Sequence, residues 1–239
     1  APWKQRLEDL LHRVAEIDQV QANSEAWARN VETAAALAAR ADTTLTAVES
    51  AMIRAKELML RAASGTLSDD NRATIAAELN GIAEDVAALI DSRDSRGALL
   101  FSRGSALEIP VNAGVRVAPV DSRAAIFEGI ATSGGPVDLV TIITDSAAAV
   151  VDPDPVAREA ASRASLEALD AGTNHIIAAR GEQGVRASRL DNIRERLNQS
   201  DLQMEEQRVG IESTDVVEVV AGLAGPSRTL HAARGGVSR

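Results

Sequence analysis

From Val31 onward the apolar and small residues of this chain fall at Ala34, Ala38, Ala41, Leu45, Val48, Met52, Ala55 and Met59. Alternating three- and four-residue steps turn one seam of a helix toward partner helices. Upstream, Trp3, Leu7, Leu10, Val14 and Ile17 keep the same alternation, which slips by one short step into Val20, Ser24, Trp27 and Val31. A long helix absorbs such a slip as a local change of winding. A second arm starts after Asp154 and Pro155, an N-cap and first-turn pair, and runs through Leu166, Leu169, Thr173 and Ile176 to Leu190, Ile193, Leu197, Ser200, Met204 and Ile211. An isolated helix gains little from propensity in water, so the arms must pack on each other. The expected fold class is therefore mainly α, an elongated antiparallel bundle of long N- and C-terminal helices.

The punctuation between the arms sets the domain plan. Ser64, Gly65 and Thr66 stop the first helix, Ser68 caps the next, and Asp69 and Asp70 place negative charge at its positive end. Ile75, Leu79, Ile82, Val86 and Leu89 give that helix its stripe. Gly97 and Gly104 then break the pattern, and Leu107, Ile109, Val111, Val115 and Val117 alternate around Pro110 and a turn at Asn112 to Gly114. A further strand is expected over Ala125 to Ile130; Val137 to Val151 fits a strand by its β-branched run and a helix by the face of Leu139, Ile142, Ile143 and Val150, and helix is the preferred reading. The expected plan is a discontinuous helical core of residues 1–97 and 137–239 with a small β-rich insertion of residues 98–136. Gly181 and Gly184 mark either a break in the second arm or a close approach of another backbone, and Gly222, Gly225 and Pro226 argue against helix near the end.

Composition removes several classes of function. With 2 Trp, 2 Phe and no Tyr, the core must be built from Ala, Leu, Val and Ile, which suits packed helices better than a ligand cavity. No Cys is present, so zinc ribbons, disulfides and thiol catalysis are excluded. A net charge of -10 argues against nucleic acid as a partner. No apolar run is long enough to span a membrane, and Lys4, Arg6, Glu8 and Asp9 leave no room for a signal-peptide core at the start.

Candidate chemistry is sparse. His12, His175 and His231 include no pair four residues apart, so packing or solvent-facing roles outweigh metal ligation. Asp69 with Asp70, and Asp152 with Asp154 around Pro153, read as caps rather than a cation site. The stretch Gly181-Glu182-Gln183-Gly184 lacks the Gly-Lys-Ser/Thr ending of a phosphate loop. Trp3 and Trp27 lie on the seam as core residues, although an exposed Trp would suit a partner anchor. Arg93 and Arg96 fit either a local ion pair or acids of a neighbouring subunit. No catalytic, cofactor or metal site is proposed, and the chain is read as a non-enzyme.

Four stretches carry a family resemblance. They are Arg61-Ala62-Ala63-Ser64-Gly65-Thr66-Leu67-Ser68-Asp69-Asp70 with Arg72 and Glu78; Asp91-Ser92-Arg93-Asp94-Ser95-Arg96-Gly97-Ala98-Leu99-Leu100-Phe101; Ala179 to Arg186 with Arg189 and Leu190; and Ser213-Thr214-Asp215-Val216-Val217. In this order they resemble the bacterial flagellin family, and within it the flagellar hook-associated proteins of the hook-filament junction. The Phe-Asn-Gly usual in flagellin proper is absent, and Asp91 and Ser92 replace the family's Asn before the Arg-Asp pair. The segments that form the inner tube in the family are largely absent from this sequence.

The resemblance implies a structural adapter between hook and filament, working by helical packing. It further implies export without a cleavable signal peptide to the extracellular flagellum, self-assembly of the full-length protein, an export chaperone on the C-terminal segment, and flagellin and other hook-associated proteins as neighbours. A flagellin-like filament subunit is the near alternative. A cytoplasmic coiled-coil signalling module is the alternative of a different class, and it would not need the insertion.

Overall fold

The computed structural model describes the backbone of residues 2–64 and 67–234, with side chains at 5, 8–64 and 67–211. Its elements in chain order are α1 (Pro2–Ala63), α2 (Asp69–Ile90), β1 (Ile109–Asn112), β2 (Val115–Val117), α3 (Arg123–Phe127), β3 (Ile130–Thr132), β4 (Gly135–Val137), α4 (Leu139–Val150) and α5 (Pro155–Arg234). The chain is mainly α, with long N- and C-terminal helices and two small sheets between them. It divides into two compact units, residues 31–191 and the pair of segments 1–30 and 192–239.

In the unit of residues 31–191 the α1 seam does what its spacing dictates. Val31, Ala34, Ala38, Ala41, Leu45, Val48, Met52, Ala55 and Met59 are each 1% exposed or less. From α5, Leu169 and Ile176 enter the same core as Leu45, Val48 and Met52. The two helices run antiparallel, because Lys56 pairs with Asp170 whereas the earlier Glu49 pairs with the later Arg180. Seam alanines bury little area each, so the bulk comes from elsewhere. It is supplied by Ile75, Leu79, Val86 and Ile90 of α2 and by Leu139, Ile142 and Ile143 of α4.

The stops and caps follow local chemistry. After α1, Ser64 donates through its hydroxyl to the Arg61 carbonyl at 2.7 Å. Ser68 accepts from the Asn71 amide at 3.3 Å and so caps α2. At the start of α5, Asp154 accepts from the Val156 amide at 3.0 Å. The β1–β2 hairpin turns where expected, with Gly114 at φ 69°, a conformation that costs glycine no Cβ clash.

Four expectations change. Ala125 to Ile130 is not one strand: Ser122 caps the short helix α3, Gly129 takes a positive φ of 67°, and pairing begins only at Ile130. Ile126 and Phe127 are both buried, which one helical turn permits and strand alternation does not. The α2 stripe is rotated slightly, with Ala83 and Ile90 buried while Ile82 and Leu89 are half-buried. Gly181 and Gly184 neither break α5 nor receive a neighbour. The close approach falls instead at Gly172, where an added Cβ would lie 2.8 Å from Met52 Cε and 3.1 Å from Leu139 Cδ1. The helix also runs on through Gly222, Gly225 and Pro226.

Residues 98–136 fold onto this core rather than around one of their own. Leu100, Phe101, Val120, Ile126, Phe127 and Ile130 belong to the same buried cluster as Leu45 and Met52. Phe101 and Phe127 meet edge to face, ring centroids 4.9 Å apart and planes at 88°, the arrangement aromatic quadrupoles favour. Phe101→Ala is therefore expected to lower stability by about 3–5 kcal/mol, the usual cost of a large-to-small change in a core. Urea unfolding followed by helical circular dichroism checks this. Loss of the signal from residues 98–136 alone, with the helical transition unmoved, would separate the two.

Candidate assembly surface

In the unit formed by segments 1–30 and 192–239, the seam is left partly uncovered. Ser24 is buried and donates its hydroxyl to Asp201, and Gln21 donates to Glu205 Oε2 at 3.4 Å, so the two helical segments are joined by polar contacts. Beside them, Leu10, Ile17, Val20, Met204 and Ile211 line a groove of about 590 Å³, edged by Arg13, Glu16 and Gln207. Leu11 and Leu202 stand 63% and 67% exposed in the same unit. A helix pair buries only the stripe that each turns to the other, and amphipathic helices with broader apolar faces need further cover. Contiguous apolar surface rimmed by polar groups is characteristic of an interaction site.

Of the other singled-out residues, His12, Asp69 and Asp152 have local partners. His12 lies 3.4 Å from Glu16, both exposed. His175 is half-buried on α5 with Nε2 enclosed and no hydrogen-bond partner. The side chains of His231 and Trp3 lie outside the described residues, and Trp27 is half-buried. Asp69 faces Arg72 at 3.5 Å, and Asp152 accepts from the Asp154 amide at 2.9 Å. Among the described residues no group of three or more His, Cys, Asp or Glu is placed to hold a metal.

Polar residues that the repeat pattern did not single out organise the unit of residues 31–191. Arg180 hydrogen-bonds Glu49, and this, with help from Asp42, raises the guanidinium above its usual value against the effect of burial. The Arg93 guanidinium donates to the Gly97 carbonyl at 2.7 Å. Asp94 closes the turn that leads out of α2: its Oδ1 accepts from the amides of Arg96 and Ala98, each at 2.9 Å, and its Oδ2 meets the Arg96 guanidinium at 3.2 Å. Burial alone would raise the Asp94 carboxyl, but the Ala98 and Arg96 amides and the Arg96 charge together hold it below the ordinary 3.8. Arg93 and Arg96 thus serve the turn itself.

Among curated proteins, the flagellar hook-associated protein 3 of Salmonella typhimurium (strain LT2) is 33% identical to this chain over 86 residues, a stretch that makes up 36% of this chain and 27% of that protein. The match therefore spans about a quarter of the curated relative's length. No protein-family model matches the chain. Among solved structures, the flagellar hook-associated protein 3 of Legionella pneumophila superposes with a TM-score of 0.75 at 12% identity, covering 84% of this chain and 99% of that one. A putative flagellar hook-associated protein from Vibrio parahaemolyticus gives 0.72 at 20% identity, covering 81% and 93%. The chain is thus similar to flagellar hook-associated protein 3 in sequence over one stretch and has its flagellin-like fold over most of its length.

The Asp94 turn lies in one of the stretches that carry the sequence resemblance. A carboxyl held below its unfolded value contributes stability that is present above the unfolded value and lost as pH falls through the folded one. Asp94→Asn is expected to melt below the parent at neutral pH, with the gap closing as pH drops below about 4, where Asp itself becomes protonated. Thermal unfolding across pH 2 to 7, on the order of one scan per unit, reads this. A gap independent of pH would assign Asp94 a role unrelated to its charge.

Proposed function

We propose that this chain is a structural, non-enzymatic subunit of the bacterial flagellum, an adapter at the hook-filament junction. The observation that carries the reading is the agreement between a stretch one-third identical to a hook-associated protein 3 and a fold that follows such proteins over most of the chain. Among the described residues no helix is long and apolar enough to cross a membrane. On this reading the protein acts outside the cell, exported without a cleavable signal peptide after meeting an export chaperone through its C-terminal segment. Its neighbours are copies of itself, other hook-associated proteins and flagellin.

The uncovered groove is where such a subunit meets helices of its neighbours. Repeated contacts between identical surfaces close into rings or run on as helical tubes, and an apolar groove on a helix pair offers a contact of that kind. Ile17 and Met204 are only half-buried. A charge at either site therefore costs the free chain little, within about 0.5–1 kcal/mol for positions near the surface, but costs an interface several times more once buried. Ile17→Asp and Met204→Asp, introduced into the full-length protein, are expected to keep the parent's helical signal and melting temperature while filaments fail to attach to the hook. Normal filament attachment by both folded variants would remove the groove from the assembly, and the junction reading would then have to rest on another surface.

A further inference from the structure

Gln183 stands seven residues after Ile176 and seven before Leu190. The heptad repeat therefore sends it into the seam between two fully buried apolar residues, and it is itself only 2% exposed. Its side-chain amide donates to two carbonyls on different parts of the fold: Pro119 at 2.8 Å, in the stretch between β2 and α3, and Ala38 of α1 at 3.3 Å. One helical turn on, Arg186 Nη1 donates to the Ala118 carbonyl at 3.4 Å, and Nη2 pairs with Asp121. The facing surface of α1 is made of Ala34, Ala38 and Ala41, small enough for a loop backbone to come close.

An apolar residue at this position would pack with less desolvation. A polar residue buried in a helical seam lowers stability, and its best-attested use is to specify one arrangement over others. Apolar burial, here through Phe101, Val120 and Phe127, is strong but non-directional. A hydrogen bond has a narrow range of distance and angle. Pro119 and Val120 are buried, and a buried carbonyl needs a donor. Gln183 supplies it to Pro119 while holding α1.

We propose that Gln183 is the seating key for residues 118–121, the residue that fixes a single pose of the 98–136 segment against α1 and α5, with Arg186 and Asp121 as its second point of attachment. The energy of attachment comes from the aromatic cluster, and the direction comes from Gln183. The pose of the segment is then a property of α5 as much as of the insertion.

The absence of cysteine permits a direct test in the full chain. Spin labels on Ala113→Cys, at the β1–β2 turn, and Asn80→Cys, on the exposed face of α2, report the pose as a distance distribution. Gln183→Leu and Gln183→Met remove the donor while filling the site. Each is expected to retain the helical signal and cooperative unfolding, to broaden the label distribution, and to speed hydrogen exchange of the amides from Val120 to Arg123 roughly tenfold, with α2 unchanged. A label distribution as narrow as the parent's in a folded variant would show that apolar packing alone sets the pose. Failure of both variants to fold would make Gln183 a stability residue, and would equally overturn the proposal.

Discussion

The structure depends on covering a seam of small residues. From Val31 to Met59, four of the nine seam positions of α1 are alanine. A helix with such a stripe buries too little apolar area on its own side to be stable without partners. In the unit of residues 31–191 those partners are α5, α2, α4 and the insertion, and their larger side chains supply what the alanines lack. Leu79, Phe101, Phe127, Leu139 and Ile143 are among the largest fully buried residues. Both phenylalanines of the chain are in this set, where the insertion meets the helices.

Polar contacts divide by burial into two kinds. The Lys56–Asp170 pair is substantially exposed on both sides and contributes little, as surface ion pairs do. Arg180, held by Glu49 and Asp42, is more enclosed, and its hydrogen bond to Glu49 favours the charged form against the effect of burial. Gln183 and Ser24 are buried outright. These two make contacts between segments far apart in sequence.

The long helices are legible in the sequence because a heptad repeat is redundant: any one residue can be misread without losing the pattern. Ser68 and Asp154 are legible as caps because their chemistry is local. Ala125 to Ile130 departs from the expected strand because so few residues do not distinguish helical from strand spacing, and the Ser122 cap and the positive φ of Gly129 decide between them. Gly172 carries no local signal, since what matters is Met52 and Leu139 across the core. Gln183 does carry one: its heptad position between Ile176 and Leu190 marks it as buried, but a polar side chain there is easily taken for the exposed face. Leu10, Ile17, Met204 and Ile211 are legible as seam. That they are left open is not, because cover depends on how many helices share a segment, which periodicity does not encode.

The most direct test is solvent access to that seam before and after assembly. Ile17→Cys in the full-length protein, in a background without other cysteines, gives one thiol in the groove, and its rate of alkylation can be followed in the free subunit and in isolated hook-filament assemblies. The packing account predicts fast reaction in the free subunit and strong protection in the assembly, with Thr74→Cys at an exposed position of α2 as the control. A groove thiol that reacts equally fast in both states, in assemblies shown to contain the protein, would contradict it.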